Sequence, residues 1–275
     1  MIVRDSSQPS VRSSSTPGSE GRAELPAGLP QAAEIRRIVL AQGRPFDALV
    51  VPCDDDDGSV ASPRLAAVAH AWITAAGPSA PSSPGTPTVV SIPLYGCHVV
   101  WAPGRGAVVG SAARVEPLAM ALVEFAAQEA DLRDLEHRGS RLIETIDGDA
   151  SAAFEFDERW LGRRPQLAGR FCEAVAIRRS LALLAPAVHV PPVHPPTLPS
   201  QLGERLRDRT RLTERHELAT DRADFALQVY EACGQRASEF GLARRQMGLE
   251  WAIIVLLVAQ TILAVVELLA SRSST

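Results

Sequence analysis

The longest uninterrupted apolar stretch of the chain is Trp251-AIIVLLVAQTILAVVELL-Ala270, broken only by Gln260, Thr261 and Glu267. At about 1.5 Å rise per residue it makes roughly 30 Å of helix, the thickness of one hydrocarbon core. From Trp251 to Ala259 the only polar atom is the indole nitrogen, which suits a Trp at the membrane interface. A core helix of a soluble protein normally keeps a polar face, and this run has none, so the pattern predicts a transmembrane helix. Ahead of it, Ala226, Tyr230, Cys233, Ala237, Phe240, Met247 and Trp251 follow a 4-3 spacing with Arg244 as the one charged break. That is the period of a coiled-coil seam running into the span. Residues 200–220 carry a thinner stripe of Leu202, Leu206 and Leu212. Together the two stretches predict a helical hairpin whose second arm continues into the bilayer.

Further upstream the period changes. Residues 1–33 are rich in Ser, Pro and Gly with few large apolar groups, so they cannot bury enough surface to offset chain entropy and read as disordered. Ile35-RRIVLA and Phe46-DALVVP read as strands, and Arg64 to Ala76 as a helix with Leu65, Val68 and Trp72 on one side. After the Pro- and Ser-dense loop Gly77-PSAPSSPGTP comes the clearest β signal. Thr88-VVSIPLYGCHVVWA and Ala107-VVGSA flank Pro103-GRG, the pattern of an antiparallel hairpin. Pro117 suits the first turn of a helix with Leu118, Leu122 and Phe125 on its apolar side and Leu132 and Leu135 extending it. Arg141-LIETI and Ala153-FEFDE alternate and predict half-buried strands; a helix over 166–184 is expected to bury Phe171, Val175, Leu181 and Leu184. Pro186-AVHVPPVHPPTLP reads as a stiff spacer.

Composition alters this picture in few places. A hydrophobic fraction of 46% is enough for a core outside the span, and a net charge of −4 argues against direct nucleic-acid binding. Lys is absent and every basic side chain is Arg. With the abundance of Ala, that points to a GC-rich bacterial genome. Cys53, Cys97, Cys172 and Cys233 are too widely spaced for a zinc site or a compact disulfide framework, so buried thiols in a reducing cytoplasm are expected. Met1-IVRDSSQPSVRSSS has no apolar core of a secretory signal, so the soluble part is expected to stay in the cytoplasm. Arg236, Arg244 and Arg245 before the span, against Arg272 after it, give the same orientation.

Candidate chemistry is sparse. Asp54-DDD could attract a divalent cation, but consecutive carboxylates on an extended chain point to opposite sides and no D-x-D-x-D-G spacing exists. A solvated loop is the simpler reading. His189 and His194 could share a metal, yet the intervening prolines hold them apart and no third ligand is near. Gly104-R-Gly106-AVV-Gly110 superficially resembles a dinucleotide loop, but its last spacing is one residue too long and a hairpin fits better. Gln260 and Glu267 lie seven apart on one helix face, where they could line an oligomeric seam; Glu267 could equally reach water at the far interface. No catalytic, cofactor or metal constellation emerges.

Tyr230-EACGQRASEFGLARRQMGLEWAIIVLLVAQTILAV resembles the end of the "required for meiotic nuclear division" family, which closes with a helix leading into an L-E-W-I-I-I-type span. Leu249-EWAII carries that signature, Leu94-YGCHVVW resembles the family's Tyr-Gly-x-x-Val-x-Trp strand, and Phe171-CEAVAIRRSLAL resembles its late helix. Asp221-RADF stands where the family has Asp-x-Pro-Glu/Asp-Phe-Phe-Trp, without the Pro and Trp. The resemblance implies a membrane-associated protein without enzymatic activity. By the same resemblance its mitochondrial members act in translation at the inner membrane, with the ribosome as the implied partner.

The expected architecture is therefore α+β: a disordered tail over 1–33, a cytoplasmic domain over 34–185 and a Pro-rich linker over 186–199. A helical hairpin stalk over 200–248, a transmembrane helix over 249–270 and a short tail over 271–275 complete it. The expected function is a non-catalytic scaffold or tether in the cytoplasmic membrane, with the lipid bilayer, a second copy of the chain or the ribosome as partners. The competing expectations are a nucleotide- or metal-dependent enzyme built around Asp54 to Asp57, and a small homo-oligomeric membrane assembly.

Overall fold

The computed structural model describes residues 25–40, 43–53, 63–75, 89–154, 158–191 and 193–273, the last nine by backbone alone. Asp54 to Asp57 and most of the N-terminal tail lie outside the described residues. The chain forms two compact units. One comprises the chain to Asp134 with Leu184–His216, and the other Leu135–Leu183 with Glu217–Thr275. The division falls inside three helices.

The first unit is built on a five-stranded mixed sheet in the order β1-β2-β5-β4-β3. Its strands are β1 (Glu34–Val39), β2 (Pro45–Cys53), β3 (Val90–Leu94), β4 (Cys97–Ala102) and β5 (Arg105–Ser111). β2 and β5 pair in parallel at the centre, and every other pair is antiparallel. Because β2 is covered on both faces, it reads as a nearly continuous apolar run rather than an alternating one. On one face α1 (Pro63–Ala75) places Ala69, Trp72 and Ile73 against Leu49, Val51, Val100, Ala107 and Val109. Leu29 and Ala33 join this cluster, so the folded chain begins earlier than Glu34. On the other face Trp101 meets Phe125 of α2 (Ala112–Asp149) edge-on, their ring centroids 5.3 Å apart.

The single hairpin expected over 88–111 is a three-stranded meander. Tyr95 (φ 45°) and Gly96 (φ 78°) form a two-residue turn between β3 and β4, because consecutive positive φ values match the twist of a hairpin. Pro103-GRG makes the second turn, with Gly104 at φ 82°. Pro93 is tolerated because β3 is an edge strand. That edge is covered by α6 (Leu198–Thr210), whose Arg205 donates to the Pro93 carbonyl at 3.0 Å.

Other expectations change. α2 starts directly after β5, so Pro117 lies in its second turn rather than its first. Arg141-LIETI belongs to the same helix, and residues 151–154 form the short helix α3 (Ser151–Phe154), not strands. The period-two reading fails there because Leu135, Leu142 and Ile146 bury on a helical spacing instead. α4 (Glu158–Leu161) and α5 (Arg164–Val188) follow. α5 buries Leu167, Ala174, Ile177 and Leu181, whereas Phe171 and Val175 keep 37 and 43% of their surface exposed.

α6 ends at Arg211, in the left-handed conformation, and α7 (Leu212–Ser273) starts immediately after it. Leu202, Leu206 and Leu212 are fully buried. The seam of α7 is buried at Ala226, Tyr230, Cys233 and Ala237, half-buried at Phe240 and exposed at Met247 and Trp251. Its buried Tyr230 is hydrogen-bonded to Thr145 and Asp149 of α2, and Asp224, just ahead of the seam, pairs with Arg178 of α5.

Candidate functional site

Beyond Phe240 the helix α7 carries its apolar side chains outward. Leu249, Trp251, Leu256 and Leu263 expose 67, 63, 64 and 63% of their surface. Among the described residues α7 is the one helix long and apolar enough to cross a membrane, and its apolar window is not buried against the protein. A contiguous exposed surface of this kind is unstable in water, and lipid or another apolar partner must cover it. Within it the Thr261 hydroxyl donates to the Leu257 carbonyl at 2.8 Å, which satisfies it within the helix. Gln260 is exposed nine residues past Trp251, about 13 Å along the helix axis. The side chain of Glu267 lies outside the described residues.

Two buried charge clusters hold the units together internally. In the sheet-containing unit, Glu129 is almost fully buried and paired with Arg133 and with Arg215, the latter at 3.3 Å. In the helical unit Asp149 pairs with Arg170 and accepts from the Tyr230 hydroxyl at 3.3 Å. The Tyr230 oxygen also lies 2.9 Å from Thr145 Oγ1, and burial pushes the nearby Cys233 thiol up from its ordinary pKa. Each cluster matches a buried carboxylate with guanidinium, as a low-dielectric interior requires. Neither brings a nucleophile, a base and an oxyanion donor together.

The sheet-containing unit also has a cleft of about 970 Å3, lined in part by Glu124, Gln128, His189, His194, Arg205 and Asp208. His189 turns toward His216 rather than toward His194; its Nε2 lies 3.4 Å from His216 Nδ1. Among the described residues no three His, Cys, Asp or Glu side chains are grouped to hold a metal ion. The Gly104-R-Gly106-AVV-Gly110 segment is the β4–β5 turn and β5 itself. Gly104 serves the turn through its positive φ, whereas the other two answer to packing: a Cβ on Gly106 would meet Leu122 Cδ2 at 2.7 Å, and one on Gly110 would meet Cys97 Sγ at 2.5 Å. No disulfide joins the cysteines; Cys97 and Cys233 are buried as expected, but Cys172 is exposed and Cys53 half-buried.

On the face of β4 that also carries Val100 and Ala102, His98 Nε2 lies 3.0 Å from Ser91 Oγ. Partial burial, and then the charge of His70, holds its imidazole below the usual histidine range. Sequence reasoning overlooked Glu129 and Asp149, although a signal was present. Glu129 interrupts the stripe Leu122, Phe125, Leu132, and Asp149 extends Leu142, Ile146, so each carboxylate falls on an apolar face at helical spacing. No family model, no curated protein and no solved structure matches this chain.

Proposed function

We propose that this chain is a non-catalytic tether, anchored in the cytoplasmic membrane by the end of α7 with both folded units on the cytoplasmic side. One observation carries the reading: the exposed apolar surface from Leu249 to Leu263, for which the folded units offer no cover. Burying one such Leu or Ile in lipid contributes about 1.5–3 kcal/mol, so the summed gain far exceeds what a solvated helix could forgo. Arg236, Arg244 and Arg245 ahead of the span support the orientation, since arginines are retained on the cytoplasmic side. The likeness of Leu249-EWAII and Leu94-YGCHVVW to the "required for meiotic nuclear division" family supports a tether at the membrane, with the ribosome as its partner.

Membrane fractionation tests the anchor. The full chain should pellet with membranes and resist an alkaline carbonate wash, and Leu256→Arg with Val258→Arg should move it to the soluble fraction. A wild-type chain found soluble and monodisperse would refute the reading. Pull-down from native membranes with ribosomal proteins scored tests the partner. The exposed amide of Gln260 at mid-depth favours a second reading, a homo-oligomer joined through the span, because an amide in hydrocarbon seeks a partner. Gln260→Leu should then convert a defined multimer in detergent to a monomer.

A further inference from the structure

We propose that His189 and His216 form a binding site for a divalent transition-metal ion of the Zn2+ class, at the edge of the cleft in the sheet-containing unit. The site does not depend on whether α7 enters a membrane.

Each histidine is held by its own helix. His189 directly follows α5, and its backbone N–H donates to the Ala185 carbonyl at 2.9 Å, which closes the last helical turn. Its side chain is exposed at the wall of the cleft. His216 lies four residues after Leu212 in α7 and is 5% exposed, on the buried face of that helix. Thr213, one turn before it, lines the same cleft. One imidazole therefore comes from the wall of the cleft and the other from behind that wall.

Their separation is that of two ligands on one ion. His189 Nε2 and His216 Nδ1 are 3.4 Å apart, with the ring centroids at 5.2 Å and the planes at 82°. An N–H donor in a hydrogen bond normally sits closer, at about 2.7–3.2 Å from its acceptor. Two imidazoles on one tetrahedral ion, bound at about 2.0–2.1 Å, have nitrogens about 3.3–3.4 Å and centroids about 5.2 Å apart. Both observed distances match that arrangement. Each neutral ring would give the lone pair of its facing nitrogen. The ring that donates in the metal-free pair shifts its proton to its outer nitrogen, so none is released. Water from the cleft completes the coordination.

The charge of the cleft also favours a cation. The carboxylates of Glu124, Glu204 and Asp208 line it against the guanidinium groups of Arg205 and Arg207, and Arg205 is turned to the Pro93 carbonyl. Imidazole nitrogens select Zn2+, Cu2+ or Ni2+ over Mg2+ and Ca2+, which require oxygen ligands. With two protein ligands and an open side, the ion stays exchangeable.

The test titrates Zn2+ into the untagged full chain in detergent, against a chromophoric chelator and in excess Mg2+. One Zn2+ should bind per chain, and either His189→Gln or His216→Gln should weaken it by about tenfold or more. Because His189 is exposed, its variant keeps the fold even where His216→Gln does not. His194→Gln, on the same cleft, and His98→Gln, on the sheet, should leave the affinity unchanged. In long-range 1H–15N spectra of histidine-labelled protein, Zn2+ should move the His189 Nε2 and His216 Nδ1 resonances together. Absence of binding, or binding that survives His189→Gln, overturns the site. An equal loss with His194→Gln overturns it as well. Movement of one nitrogen without the other overturns the chelate.

Discussion

Tyr230 of α7 and Asp149 at the end of α2 meet in the interior of the helical unit, the phenol donating to the carboxylate at 3.3 Å. Arg170 of α5 pairs with the same carboxylate, so one charge ties three helices together. Tyr230→Phe removes one hydrogen bond and should cost about 1 kcal/mol in detergent-solubilised protein. Asp149→Ala strands Arg170 and should cost about 3 kcal/mol or more. Urea unfolding of both single variants and the double variant would check this. Strict additivity would show that the two residues do not act as one cluster.

The seam of α7 gives a sharper contrast. Ala226 is 1% exposed, whereas Gln228 faces solvent. Ala226→Asp should lower stability by about 2–4 kcal/mol, while Gln228→Asp should stay within about 0.5 kcal/mol of the parent. Thermal melts of the two variants decide whether the burial is real, and equal melting temperatures would refute it.

Two glycines should respond in opposite directions to alanine. Gly110 faces Cys97, whose Sγ, Cβ and backbone Cα lie 2.5, 3.1 and 3.4 Å from an added methyl, so Gly110→Ala must displace β4. A loss of about 1–3 kcal/mol is expected from such overpacking. Gly139 sits in α2 with open space around it, and Gly139→Ala should gain about 0.5–1 kcal/mol from helix propensity. Chemical denaturation midpoints compare the pair.

His98 should titrate below its ordinary value of 6.5, because burial disfavours the imidazolium. The unfolded chain then takes up the proton first as pH falls. The stabilising contribution is complete above pH 6.5 and is lost as pH drops from there through the lower folded-state value. His98→Gln should flatten that part of the pH–stability curve. An NMR titration of the ring is the direct check, and a midpoint at or above 6.5 would contradict it.

What the sequence determined by itself is whatever depends on neighbours close along the chain. The apolar stretch after Leu249, the Val-rich strands, the Pro103-GRG turn and the leucine stripe of α6 were all legible, because length, period and turn chemistry are local properties. Where the period was short the reading failed: Arg141-LIETI alternates as a strand would, yet it continues a helix whose Leu135, Leu142 and Ile146 form one buried face. Only the tertiary structure decided which surfaces meet. The seam of α7 was visible as a spacing, but the partners of its Tyr230, Thr145 and Asp149 of α2, lie 85 and 81 residues away. The charges of Glu129 and Asp149 likewise acquired meaning only once burial removed water from them. A carboxylate in sequence is an ordinary solvated group; inside a low-dielectric core it must find an arginine, and which arginine is a matter of three-dimensional packing.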